Sequence, residues 1–169
     1  MSSGSLFVSR QIFASSWKRG KDFPDWRSGN EAALREWLDL PRDGICFDIE
    51  HNDFWLPEWG SRPDSLQDAF RIAGELVAAG PKLIPIYMHR MMPDEPHLAG
   101  NPVFSVHQTD IICYGVDLAD FLDRQFFSTD RQTLPREPRR IRFWDIDRFF
   151  NVRWARGSCK FNNRPKILP

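Results

Sequence analysis

The sequence predicts an α+β fold in a single domain, a mixed or antiparallel β-sheet flanked by helices and followed by a basic C-terminal extension. Three observations predict it. Several apolar runs have the length of a strand, three segments repeat apolar residues at i, i+3 and i+4, and the two kinds alternate without regular βαβ spacing or a Gly-rich phosphate loop. A chain of 169 residues buries roughly 70% of the surface it exposes when unfolded, enough for a real core.

Residues 1–29 are rich in Ser, Gly and Lys with scattered aromatics and are expected to be extended. The domain proper is expected over 30–150. Asn30 can cap a helix running to about Leu40, in which Ala33, Leu34, Trp37 and Leu38 share a face. Pro41 and Gly44 are expected to stop it, leaving Gly44-Ile-Cys-Phe-Asp-Ile as a strand. The stretch from His51 to Pro63 combines turn formers with Phe54, Trp55 and Trp59 and reads as a loop pinned by large rings.

Ser65 or Asp64 can cap the clearest helix, striped by Leu66, Ala69, Phe70, Ala73, Leu76 and Val77 as far as Gly80. The run from Leu83 to Met88 reads as a strand, and Pro85, which has no N–H to donate, places it at an edge or bulge. A Pro-rich loop is expected from Met92 to Pro102. Val103-Phe-Ser-Val and Ile111-Ile-Cys-Tyr then form two strands on either side of the polar His107-Gln-Thr-Asp. Asp117 can cap a third helix with Leu118, Phe121, Leu122 and Phe126 on one side. Residues 128–138 read as linker. Strand-like alternation starts at Ile141 and turns helical from Trp144 onward, and 151–169 is a basic tail.

Composition narrows the function classes. The chain is 41% hydrophobic and 27% charged, ordinary for a globular protein. No leader-like segment or run of 18 apolar residues occurs, so neither export nor membrane insertion is expected and a cytoplasmic location is. Cys46, Cys113 and Cys159 match neither a disulfide framework nor a CxxC site and are expected to be reduced, buried thiols. Residues 131–169 carry 11 Lys/Arg against 3 Asp/Glu, a charge of +8, whereas 1–130 carry 12 against 20, a charge of −8. Such a split suits an anionic partner for the tail, or a tail that folds back on its own acidic domain.

The candidate chemistry is sparse. His51, His89, His97 and His107 with Asp48, Glu50, Asp53 and Asp110 are the residue types of a hydrolytic metal site, but no HExxH or HxH spacing joins them, and structural or surface histidines are the better reading. Ser105, His107 and Asp110 have the types of a triad, yet on one strand Ser105 and His107 stand about 7 Å apart. No cofactor, metal or catalytic residue is expected.

Arg139, Arg140, Arg142, Phe143, Trp144, Arg148, Phe149, Arg153, Trp154 and Arg156 hold the ingredients for phosphate contacts and base stacking, so nucleic acid is a possible partner of residues 131–169. The competing reading puts Ile141, Phe143, Ile146 and Phe149 in the core. Trp55, Trp59 and Arg62 are hot-spot residue types, or else a lid over the core beneath them. With His89, Arg90, Asn101, His107 and Asp110 they make up the candidate contact positions, polar and aromatic groups gathered in loops beside strands.

The segments His51-Asn-Asp-Phe-Trp-Leu-Pro-Glu-Trp-Gly-Ser-Arg-Pro, Leu83-Ile-Pro-Ile-Tyr-Met-His-Arg and Gly100-Asn-Pro-Val-Phe-Ser-Val-His-Gln-Thr-Asp-Ile-Ile-Cys-Tyr-Gly, with an Ile-x-Phe-Trp segment at Ile141, resemble bacterial proteins of the SUKH superfamily. The likeness spans about residues 47–145. It implies an α+β domain that binds proteins, often as an immunity protein neutralising a toxin, commonly a nuclease, and it brings no catalytic residue. The expectation is therefore a non-enzymatic protein-binding domain. The alternative is a nucleic-acid-associated protein, and the third reading is a metal-dependent hydrolase or nuclease.

Overall fold

The computed structural model describes residues 23–127 and 137–144. Helix α1 (Glu31–His51) begins where expected, with the Asn30 side chain accepting from the Ala33 N–H. It does not stop at Pro41. The helix continues for 21 residues through Pro41 and Gly44, and the strand expected at 44–49 is its second half. Leu40, Pro41, Gly44, Ile45, Asp48 and Ile49 are buried, at the spacing of one helical stripe.

Tertiary packing overrides both helix breakers. Pro41 forgoes one intrahelical bond but is buried, and Gly44 lets the helix approach the sheet. A Cβ on Gly44 would stand 2.7 Å from the Cα of Gln108.

A 3₁₀ turn (Pro57–Trp59) lies in the aromatic loop. Helix α2 (Leu66–Ala78) follows, with the Ser65 hydroxyl accepting from the Asp68 N–H at its start. It buries Ala69 and Ala73 and packs against α1. Four strands then form an antiparallel sheet in sequence order: β1 (Leu83–Tyr87), β2 (Arg90–Pro93), β3 (Val103–His107) and β4 (Asp110–Gly115). Pro85 lies on edge strand β1, where the pairing is irregular, as its missing N–H requires. Strand β2 is a correction to the loop expected from Met92. The nearby Pro93 and Pro96 hid it, because Pro93 ends the strand opposite Leu83.

Register sorts the sheet into two faces. Met91 pairs with Phe104 and Val106 with Ile111; these four are buried in one core with Ile45, Ile49, Ala69 and Ala73 of the two long helices. Arg90 pairs with Ser105 and Ser105 with Ile112, so these residues occupy the opposite, outer face. Over that face lie the short helix α3 (Leu118–Leu122), capped by the Asp117 carboxylate, and a π-helical turn (Asp123–Phe127). Of the apolar stripe expected on this helix only Phe121 is buried, whereas Leu118, Leu122 and Phe126 are exposed.

Residues 138–144 form no strand, a third correction, although their rings are core as expected. Ile141, Phe143 and Trp144 are buried, and the Trp144 indole donates to Pro81 O at 2.6 Å. Phe143 reaches this position with a φ of +70° and packs where a Cβ on Gly80 would stand 2.9 Å from its own Cβ. Arg142 donates to Ala79 O at 2.8 Å, placing a cation at the C-terminal end of α2. The helical turn expected after Trp144, with Ile146 and Phe149, lies outside the described residues, as do Cys159 and the tail 151–169. No helix is long and apolar enough to cross a membrane among the described residues.

Candidate functional site

The two hairpins turn at the same end of the sheet, and their turns contain no glycine. Met88 in the first has a φ of +48° and Gln108 in the second +56°, both in the left-handed region that L side chains rarely adopt. Helix α1 crosses both turns and holds them. The Trp37 indole donates to Met88 O at 3.0 Å, and buried Asp48 accepts from both the N–H and the hydroxyl of Thr109. The local strain is thereby offset by long-range bonds.

This end of the sheet gathers four of the eight sequence candidates. His89 occupies the first turn, Arg90 begins β2, and His107 and Asp110 face each other across the second turn. The Val106 N–H donates to His89 O at 2.9 Å, tying one hairpin to the other. Arg90 is half-buried on the outer face. Its Nη1 donates to Ser105 Oγ and to His89 Nε2, and its guanidinium carbon lies 3.8 Å from the centre of the Tyr114 ring. The Tyr114 hydroxyl in turn donates to Gln125 Oε1 at 3.1 Å.

Burial first, then the charge of Arg90 and the neighbouring His107, push His89 down to about 4. A neutral ring agrees with Nε2 acting as acceptor.

The other four candidates lie elsewhere. Trp55 is 5% exposed and its indole donates to Gly60 O at 2.8 Å. It meets Trp59 edge-on, and Trp59 stacks on Phe143. Arg62 donates to Ile49 O at 2.7 Å and pairs with Asp53. These three therefore close the core beneath the aromatic loop. Asn101 is buried, donating to Pro93 O and Pro96 O and accepting from Arg139, so it braces the β2–β3 loop. Ser105 and Tyr114 complete the Arg90 cluster although neither was a contact candidate. The strand register that unites them with Arg90 is invisible in a single chain sequence.

The cluster does not resemble a nucleophile with its base. The Ser105 hydroxyl receives a bond from a guanidinium, which draws electron density from the oxygen instead of activating it. Burial, with Asp43 adding, pushes the Cys46 thiol up to about 11, and burial also raises Cys113. Among the described residues no three His, Cys, Asp or Glu side chains gather closely enough to hold a metal ion. His51 stacks on Phe47 and bonds its carbonyl oxygen.

Aromatic rings adjoin the Arg90 cluster through Tyr87, its partner across the hairpin, and Tyr114. Phe23 lies 4.8 Å from Tyr87 and 6.0 Å from Phe126 between ring centres, and Phe121 contacts Tyr87, Tyr114 and Phe126. Phe23, Ile112, Leu118, Leu122, Phe126 and Phe127 are nevertheless exposed, Phe127 by 67%. No protein family, curated protein or solved structure matches the chain.

Proposed function

We propose that this chain is a non-enzymatic protein-binding domain of the immunity type, which neutralises a nuclease-like toxin by direct contact. The observation that carries the reading is the exposed aromatic and aliphatic surface on the outer face of the sheet and on α3. Soluble monomers expose few such patches outside binding sites, and aromatic residues concentrate at the centres of protein interfaces. A second property supports it. Residues 23–127 carry 18 Asp/Glu against 8 Lys/Arg, a charge of −10, which would steer a basic nuclease toward this domain and make association salt-sensitive.

The nucleic-acid reading draws less support from the described part of the basic segment. Arg139 and Arg142 bond carbonyl oxygens of the domain, and Phe143 and Trp144 are buried, so these rings have no free face for a base.

The test is affinity capture of the tagged chain from its own cells at low and moderate salt, followed by co-expression with any captured protein that is toxic alone. A stoichiometric basic partner whose toxicity is suppressed, with suppression lost in Leu118→Asp or Phe126→Asp, is the expected result. Nucleic acid released by salt, without a protein, would replace this reading with the nucleic-acid one.

A further inference from the structure

We propose that the free edge of β4 is a docking site for an extended, basic strand; on the protein-binding reading, the partner supplies that strand. The two edges of the sheet differ. Strand β1 carries Pro85, which has no N–H to offer, and an irregular register, features that blunt an edge against a further strand. Strand β4 contains no proline, lysine or arginine, pairs only with β3, and is regular from Asp110 to Cys113.

Register shows which backbone groups that edge presents. The Val106 N–H donates to His89 O, toward β2, so those of Ser105 and His107 point to β4, where Ile112 and Asp110 face them. The alternation then turns the N–H and C=O of Ile111 and Cys113 away from β3. The Ile111 N–H bonds Thr109 O at 3.1 Å, but the Cys113 N–H and the C=O groups of Ile111 and Cys113 have no partner among the described residues. Those residues leave the stretch accessible: Ile112 is 45% exposed, Asp110 is exposed, and Cys113 and Tyr114 are half-buried. An added antiparallel strand would bond these backbone groups and set β-branched side chains beside Ile112 on the outer face.

Charge selects the occupant. Residues 103–123, which span the β3–β4 hairpin and α3, hold Asp110, Asp117, Asp120 and Asp123 and no Lys or Arg. Arg124 bonds Asp120, and Asp110 and Asp117 flank the two ends of the strand. A strand with Lys or Arg at its ends meets opposite charge there. Pairing β4 with that of a second copy would instead set acid against acid, on domains that each carry −10 over residues 23–127.

The test adds acetylated peptides to the full chain at constant ionic strength and follows backbone amides by NMR. The probes are Lys-Lys-Val-Thr-Val-Lys-Lys, the same peptide with Glu for every Lys, and the first peptide N-methylated at its Thr. With Thr opposite Cys113, both valines flank Ile112 and Tyr114, and the Thr N–H donates to Cys113 O. Saturable binding of the first peptide, with slower solvent exchange of the Cys113 amide, is the expected result; the other two should bind more weakly by about tenfold or more. Cys113→Pro, which removes the edge N–H but no bond to β3, should abolish binding, and Cys113→Ser should keep it. Equal binding of the Glu or N-methylated peptide, protection of β1 amides instead, or no saturable change would each overturn the proposal. So would a Cys113 amide already protected without peptide: protection that grows with concentration assigns the edge to a second copy, and protection at every dilution assigns it to a segment of the chain itself. The wild-type comparison decides even where a variant fails to fold. No captured partner is needed, so failure of the captured-toxin experiment removes the functional reading without touching this result.

Discussion

Asp48 and Thr109, separated by 61 positions, are joined by two hydrogen bonds to one carboxylate oxygen, 2.9 Å from the Thr109 N–H and 2.5 Å from its hydroxyl. The other oxygen accepts from Asn52, and the Asp48 carbonyl accepts from the N–H groups of Asn52 and Phe54. One residue thus ends α1, shapes the start of the aromatic loop and holds the β3–β4 turn. The position of His107 and Asp110 depends on that turn.

Replacing Asp48 by Asn should therefore destabilise the domain by about 2–3 kcal/mol, because a buried charge-assisted acceptor becomes a group that can turn an N–H toward the Thr109 donors. Thr109→Val should cost less, about 1–2 kcal/mol, since the backbone N–H bond survives. Urea denaturation of the two single variants and the double variant checks this. The double variant should be clearly more stable than the sum of the single losses predicts.

Two helical glycines should respond with opposite signs. Gly44→Ala drives a methyl group against the Gln108 backbone at 2.7 Å, and the strain should outweigh the gain in helix propensity, for a net loss of about 1–3 kcal/mol. On Gly74 of α2 a methyl group would meet nothing within 4 Å, so Gly74→Ala should stabilise by about 0.5–1 kcal/mol. Thermal melts of both variants suffice.

The same pair of contacts explains what could be read from the sequence. The caps at Asn30, Ser65 and Asp117 were legible because capping is local, and Pro85 marked an edge strand because a missing N–H acts wherever it stands. The second half of α1 was not legible. Pro41 and Gly44 are breakers by local propensity; the close approach of Gln108 explains the glycine at 44, and Pro41 is accommodated as a buried residue of the same helical stripe. Arg90 was legible as a candidate, but Ser105 and Tyr114 join it through cross-strand register, which no local pattern encodes. Trp55 and Asn101 have residue types suited to binding, and their burial comes from segments distant in sequence.

The basic segment cannot be removed as a unit. A chain ending before Ile141 loses Ile141, Phe143 and Trp144 from the core along with the Trp144–Pro81 bond. Trp144→Ala alone should cost about 3–5 kcal/mol, and deleting 131–169 should leave a chain too unstable for a binding assay. A chain ending after Trp144 keeps these contacts and is the proper control for nucleic-acid binding. Denaturation midpoints of the three chains check this, with Trp144→Ala and the longer deletion falling well below the chain that ends at 144.

His89 should make the domain acid-sensitive in a defined window. Its pKa is about 4 in the folded chain against 6.5 for a free imidazole, so the unfolded chain binds more protons between those values. Stability must then fall as pH drops from about 6.5 toward 4, and the contribution levels off below that. The cause is specific: protonation removes the acceptor for Arg90 Nη1 and sets a second cation beside Arg90 and near His107, with Asp110 across the same turn. The ring is only half-buried, so solvent screens part of the effect. Carboxylates also titrate at the acid end, which makes the comparison of variants decisive. His89→Gln keeps an acceptor for Arg90 without a titrating ring, and its melting temperature should fall less than the wild type's between pH values of about 6.5 and 4. Parallel curves for the two proteins would show that the ring is protonated in the folded state as readily as in the unfolded one.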